Sequence, residues 1–342
     1  MAQRALAGRT FPPGTVWLNA NENPDGPPRA ALHAISRFAG QTWRYHFQAF
    51  RDFYAAVARS ERLEPEQIVV GAGSTEVLNL AVLVFTSATR PLITCHPTFE
   101  APAETAQALG RPCLTVPLTP SYAADVKRLA AEADRAGGGL IYLCNPNNPT
   151  SSLTPTEHLA WLVSNLPRDT VALIDEAYLH FVEDCDSRSA LAWVRQGRNV
   201  IVARTFSKIY GMAGLRVGFA CGKPELIRRI RPFRNNVISI LSARAVEAAL
   251  AEAPSILPQR RARLIRIRSD LCAWLRSRNL RYIEPYANFV MIDVGDARRL
   301  AELLAQKNIA VGRPFPPLDN LLRVSIGSQS DMARFKQAFP VG

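Results

Sequence analysis

The 342-residue chain is 48% hydrophobic and 20% charged, an ordinary globular composition with enough length for a large and a small domain. It has no apolar run approaching the ~20 residues of a membrane helix, no apolar signal segment in residues 1–13, and six scattered cysteines with no ligand spacing, so it reads as a cytoplasmic protein with reduced thiols, no metal site and no membrane partner. The net charge of +12 raises nucleic-acid binding, but the arginines at 260, 261, 263, 266, 268, 276 and 278 interleave with Leu264, Ile267, Leu271 and Leu275 at helical spacing, which predicts a solvated helix face and no nucleic-acid partner.

Residues 1–28, rich in Pro, Gly and Asn, read as an extended N-terminal arm containing Trp17-Leu18-Asn19-Ala20-Asn21-Glu22-Asn23-Pro24. A short amphipathic helix at 30–38, the aromatic stretch Trp43-Arg44-Tyr45-His46-Phe47 and a helix at about 50–60 follow. Strands are then predicted at 67–70, 92–95, 113–116, 140–144, 171–174, 200–203 and 219–221, alternating with helical segments that include 75–85 and one starting near Pro102. This alternation predicts an α/β fold over residues 29–222, a mainly parallel sheet covered by helices on both faces. Past about residue 223 the pattern changes. A long helical region over 227–278, its first part (near 223–252) linking two domains, precedes strands at 289–294 and 322–326 around a helix at 297–307. These predict a smaller C-terminal α/β domain over 223–342.

The chemistry centres on Thr205-Phe206-Ser207-Lys208, followed by a glycine-punctuated turn and Arg216. A lysine can form an imine with an aldehyde if its pKa is lowered, while hydroxyls and a guanidinium suit a phosphate. An aldehyde that carries a phosphate is pyridoxal phosphate. In open α/β sheets ligands gather beyond the carboxyl ends of the strands, and four other predicted strand ends carry suitable groups. Gly71-Ala72-Gly73-Ser74-Thr75 opens a helix whose N–H groups can hold a phosphate, although the same glycines would serve a plain turn. Pro97-Thr98-Phe99 offers a ring to stack on a planar cofactor, or simply a core phenylalanine. Asn145-Pro146-Asn147-Asn148-Pro149-Thr150 fixes an irregular loop whose amides can point into the cleft. Asp175-Glu176-Ala177-Tyr178 places an acid after an apolar strand, as a helix cap or as the partner of a protonated pyridine nitrogen.

In this order, Asn-Asn-Pro-Thr, Asp-Glu-Ala-Tyr, Ser-Lys and Gly-Leu-Arg-Val-Gly resemble the fold-type I pyridoxal-phosphate aminotransferases of class I/II, and most closely the histidinol-phosphate aminotransferase family. The resemblance runs from Leu18 to Gly327 and implies an aspartate-aminotransferase-like fold. It implies that Lys208 holds the cofactor and then serves as acid and base. Asp175 pairs with the ring nitrogen, Asn148 and Tyr178 bond the phenolate oxygen, and Phe99 stacks. Ser74, Thr75, Thr205, Ser207 and Arg216 bind the phosphate. Tyr45 reaches the cofactor of a neighbouring subunit, which implies a homodimer. Arg323 takes the acidic group of the substrate, with Asn21 and Asn288 lining its pocket and Arg313 as a companion. The activity implied is transfer of an amino group between a donor, with glutamate and 2-oxoglutarate as the expected pair, and histidinol phosphate or its keto counterpart. Three departures from the family stand out: His46 where Pro is usual, Ser151 where Gly is usual, and an arm without the tyrosine-containing segment. The alternatives that keep the fold are an aromatic amino-acid or specialised-metabolite aminotransferase and a phosphothreonine-type decarboxylase, a relative that shares much of this site; the Leu18-Asn19-Ala20-Asn21-Glu22-Asn23-Pro24 arm favours an aminotransferase. A cofactor-binding DNA regulator would need a further winged-helix domain, for which the chain has no spare length.

Overall fold

The structure, a computed structural model, describes residues 12–234 and 238–340. The first eleven residues of the expected arm, residues 235–237 of the expected long helical region, and residues 341–342 lie outside the described residues. The described strands are β1 (Val16–Leu18), β2 (Ile68–Gly71), β3 (Leu92–His96), β4 (Cys113–Pro117), β5 (Gly139–Cys144), β6 (Thr170–Asp175), β7 (Val200–Thr205), β8 (Gly218–Gly222), β9 (Tyr282–Ile283), β10 (Phe289–Asp293), β11 (Ile309–Val311) and β12 (Leu321–Ser325).

Seven of them form one sheet in the order β2-β8-β7-β6-β5-β3-β4, in which only β8 runs against its neighbours. Strands β5, β6 and β7 are buried along their whole length, which explains why they read as apolar runs instead of alternating ones. Because β2, β3, β5, β6 and β7 run the same way, the loops that follow them emerge along one edge of the sheet. The helix Ser74–Phe85 starts at that edge and packs on β2 and β8.

Two smaller sheets complete the fold. β12, β10 and β9 form an antiparallel sheet in that order, with Arg323 opposite Met291. β1 pairs in parallel with β11, Trp17 opposite Ala310. Part of the stretch expected as an extended arm therefore supplies a strand, with Val16 and Leu18 buried and Trp17 turned outward. The expected helical region is also divided: a helix at Pro224–Ile230 and a short turn of helix at Arg231–Phe233 precede a 38-residue helix, Ile240–Ser277, capped by Ser239 and carrying Pro254 and Pro258 within it. No helix among the described residues is long and apolar enough to cross a membrane.

The arginines of the long helix do more than face solvent. Arg260 donates to the carbonyls of Ile209 (2.9 Å) and Gly26 (2.8 Å), Arg261 to that of His180 (2.8 Å) and Arg268 to that of Ala287 (2.9 Å). Arg263 pairs with Asp25. Several charges expected on a solvated face thus fasten the helix to the N-terminal segment and to the loops around the site, satisfying carbonyls that would otherwise need water.

Candidate active site

A cleft of about 1040 Å³ opens at the carboxyl edge of the large sheet, walled on its other side by residues 310–315 and Arg323. Lys208 follows β7 and enters this cleft, its amine donating to the Ala20 carbonyl (3.1 Å) and standing 5.6 Å from the Tyr178 ring centre. The residue is half-buried and lines the cleft. Burial, helped by the nearby Arg323 guanidinium, lowers its pKa from 10.5 to about 8. A sizeable fraction is therefore neutral and nucleophilic near physiological pH.

An anion cradle lies beside it. Gly73 takes a left-handed backbone (φ 85°) immediately before the helix Ser74–Phe85, and a Cβ at Gly73 would collide with the Arg216 guanidinium. Gly218 likewise leaves no room for a Cβ against the Ser74 amide, so β8 can approach the helix start closely. Arg216 donates to the Ser207 hydroxyl (3.4 Å), which in turn accepts from Thr205 (3.0 Å). Helix N–H groups, two hydroxyls and a guanidinium thus converge on one corner; Thr75 and Arg216 line the cleft, while Thr205 and Ser207 are buried behind them.

Asp175 ends β6 and is 3% exposed; one oxygen accepts from the Ala177 amide (3.1 Å) and the other from the Tyr142 hydroxyl (3.3 Å). Burial outweighs both bonds and the nearby Lys208, raising its pKa from 3.8 to about 7. Tyr178 and Phe99 both line the cleft, and the Tyr178 hydroxyl accepts from Asn21 (3.1 Å). Of the three loop asparagines, Asn148 alone reaches the cleft. Asn145 bonds Thr154 and Asn147 bonds Pro97, Thr98 and Thr150, so two amides expected as ligand donors instead brace the loop.

Arg323, 6% exposed, donates to the Asn148 side-chain oxygen and to the Asn19 carbonyl, both at 2.7 Å, while its Nε is buried without a partner among the described residues. Burial, with a smaller push from Arg313, lowers its pKa to about 10 against the opposing pull of Tyr178, so it stays charged at neutral pH. Asn21 lines the cleft, whereas Asn288 is fully buried and is not on the wall: its amide donates to the carbonyls of Asn21 (3.0 Å) and Glu22 (3.3 Å) and holds that segment in place. Arg313 lines the cleft and pairs with Glu100. Tyr45 is 81% exposed, stacks on Phe47 (5.8 Å) and does not line the cleft of its own chain.

Sequence reasoning passed over four contributors: Tyr142, Glu100, Phe315 and Ser325. A hydroxyl inside the apolar run Leu140-Ile141-Tyr142-Leu143, and an acid directly after Pro97-Thr98-Phe99, were the available signals for the first two. Ser325 accepts from the Asn21 amide (2.9 Å) and Phe315 lies 4.5 Å from the Arg323 guanidinium, contacts between distant segments that no local pattern marks.

A sheet edge that brings together a low-pKa lysine, an anion cradle and a buried carboxylate with no cation bonded to it among the described residues defines a pyridoxal-phosphate type of site, and these residues fit that cofactor. The chain belongs to the aminotransferase class I and II family, whose model matches residues 13–339, and it is a pyridoxal-phosphate-dependent transaminase. It is 34% identical to histidinol-phosphate aminotransferase 1 of Cupriavidus pinatubonensis (strain JMP 134 / LMG 1197), over 94% of this chain and 86% of that one. It is also 34% identical to an aromatic amino acid aminotransferase of Mycobacterium avium (strain 104), over 93% of this chain and 89% of the other. Among solved structures, the histidinol-phosphate aminotransferase of Sinorhizobium meliloti in complex with pyridoxal-5'-phosphate superposes with a TM-score of 0.87 at 28% identity, covering 99% of this chain and 92% of that one.

Two expected results arise directly from the geometry. Gly73→Ala adds a Cβ against Arg216 at a left-handed position, and is expected to weaken cofactor binding by about tenfold or more through a strain of roughly 1–3 kcal/mol. A fluorescence titration with pyridoxal phosphate reads this, and unchanged affinity would remove Gly73 from the cradle. Asp175 supplies the second. Its raised pKa means that the folded, cofactor-free protein keeps a proton between pH about 4 and 7 that the unfolded chain has released. Stability is therefore lost as pH rises through that window, by at most about 1.4 kcal/mol per pH unit. The melting temperature of the cofactor-free protein should fall more steeply from pH 5 to 7.5 than that of Asp175→Asn; parallel curves would show that Asp175 is not the titrating group.

Proposed function

We propose that this transaminase moves an amino group between glutamate and the keto counterpart of histidinol phosphate, and that it works as a homodimer in the cytoplasm. The observation that carries the substrate reading is Arg323: a buried guanidinium beside the Lys208 amine, with an unpartnered Nε, suited to a small substrate that bears an acidic group. The Cupriavidus and Sinorhizobium relatives support the choice of histidinol phosphate by their names.

When bound, pyridoxal phosphate supplies an aldehyde that combines with amines and a ring that accepts electrons from the substrate Cα. The Lys208 Nζ would hold the cofactor through its aldehyde and, when free, would take the proton from the substrate Cα. The Asp175 carboxylate would keep the ring nitrogen protonated, and Asn148 and Tyr178 would bond the phenolate oxygen. Thr75, Ser74, Thr205, Ser207 and Arg216 would hold the phosphate, and Phe99 would offer its ring to the cofactor. Asn21 and Arg323 orient the acidic end of the substrate, and Asn288 sets the position of Asn21.

The dimer is supported by Trp43, Tyr45 and Phe47, which are 79%, 81% and 75% exposed on one short segment. Large aromatics clustered in this way suit a protein interface, and in it Tyr45 reaches the partner's cofactor. The six cysteines, all free thiols, suit a reducing cytoplasm.

A second reading, an aromatic amino acid as substrate, is favoured by Phe99 and Phe315 on the cleft wall and by the Mycobacterium relative. Adding histidinol phosphate to the purified holoenzyme without any keto acid separates the two. Bleaching of the visible cofactor band at micromolar substrate supports the first reading. Bleaching by phenylalanine or tyrosine, with none by histidinol phosphate, would replace it with the second.

A further inference from the structure

The outer wall of the cleft carries a second guanidinium that is already engaged. Arg313, just after β11, spans the cleft to Glu100, the residue before the helix Ala101–Ala108, and its Nη2 bonds both oxygens of that carboxylate. Its Nη1 donates to the Pro314 carbonyl (2.8 Å). The Phe315 ring is flanked by both guanidiniums, with Arg313 4.2 Å and Arg323 4.5 Å from its centre. Among the described residues Arg323 makes no ion pair, and its Nε has no partner. Of the two guanidiniums that flank Phe315, Arg323 is thus free of any carboxylate among the described residues, and Arg313 is held by a carboxylate of the protein itself. Glu100 also lines the cleft, with its side chain 42% exposed, so an anion reaching from Arg323 towards Arg313 meets a like charge.

We infer that Glu100 is a specificity-determining residue that withholds Arg313 from singly charged substrates and releases it only to a doubly charged acid, a phosphate monoester or a dicarboxylate. The inference rests on the reading of this cleft as the transaminase substrate site. A singly charged acid is satisfied at Arg323 and leaves the Glu100–Arg313 pair intact. A doubly charged one gains a second guanidinium but must first displace Glu100, so Glu100 sets how strongly such substrates bind. Discrimination here comes from a built-in competitor and not only from attractive contacts.

The test uses the holoenzyme and Glu100→Gln, with inorganic phosphate, glutarate and acetate as inhibitors competing with the amino donor. Glu100→Gln is expected to tighten inhibition by phosphate and glutarate about tenfold, to leave acetate within about twofold, and to lower KM for doubly charged substrates. The gain should vanish in the double variant Glu100→Gln/Arg313→Gln. Weaker phosphate and glutarate inhibition would overturn the proposal, because Glu100 would then be positioning Arg313 for the anion. Equal tightening of acetate would overturn it too, by showing a general effect of charge. Tightening by phosphate alone, or by glutarate alone, supports the proposal and identifies the favoured acid. The readout works against any amino donor the enzyme accepts. If histidinol phosphate proves not to be a substrate, the proposed function fails while the inhibition constants still decide the role of Glu100.

Discussion

Replacing Lys208 by alanine is expected to lower the rate of transamination by at least about 10⁴-fold while leaving thermal unfolding nearly unchanged. In the proposed reaction the side chain would combine covalent attachment of the cofactor with proton transfer at the substrate Cα, and no other described residue of the cleft wall offers an amine. Its contribution to folding is small. It donates one hydrogen bond, to Ala20, and its ammonium form is disfavoured by burial and by Arg323. The visible band of the holoenzyme should disappear, and a small added amine such as methylamine should restore part of the rate by supplying the missing base. Retention of more than about a tenth of the parent activity would mean that another group does the chemistry.

The largest expected effect on stability lies at Arg204, on β7 shortly before the lysine and not on the cleft wall. Arg204 is 7% exposed and donates to Glu61 (2.7 Å), to Glu176 (2.8 and 3.0 Å) and to Ser189 (2.9 Å). Burial alone would lower its pKa, but Glu61 and Glu176 hold it above its ordinary value. Arg204→Met leaves two buried carboxylates facing each other, and is expected to cost about 3–5 kcal/mol and several degrees of melting temperature. Adding Glu61→Gln and Glu176→Gln to that variant should recover much of the loss, because the charges that made it costly are gone. Equal stability of Arg204→Met and the parent would show that the network is not what holds the end of β6 against β7.

The central sheet was readable because its strands are runs such as Val200-Ile201-Val202 and Leu140-Ile141-Tyr142-Leu143, buried on both faces and punctuated by glycine and proline. The residues at its carboxyl edge were readable for the same reason, since a strand followed by Lys208 or Asp175 fixes where those side chains start. The three short strands β1, β9 and β11 were not. Three residues of Val-Trp-Leu among prolines and asparagines carry no periodicity, and their pairing is decided by a partner almost three hundred positions away. Side-chain destinations were the other gap. Asn145, Asn147 and Asn148 look alike in the sequence, yet only the last faces the cleft. Asn288 was expected on the wall and is buried behind it, holding the carbonyls of Asn21 and Glu22. Glu100 and Arg313 meet across 213 positions, a contact that only tertiary packing brings about.

The hydrogen bonds from Arg323 to Asn19 and between Ser325 and Asn21 each join residues 304 positions apart. For a chain made from its N-terminus at roughly 5–20 residues per second, this spacing sets an order of assembly. The lysine, the carboxylate and the anion cradle all lie before β8 is finished. Asn19 to Asn21 must wait for almost the entire remaining synthesis before β12 arrives to hold them. The end of the cleft that handles the cofactor is thus encoded before the end that selects what the cofactor acts on. A polypeptide released short of β12 would keep the lysine and lose its means of choosing a substrate.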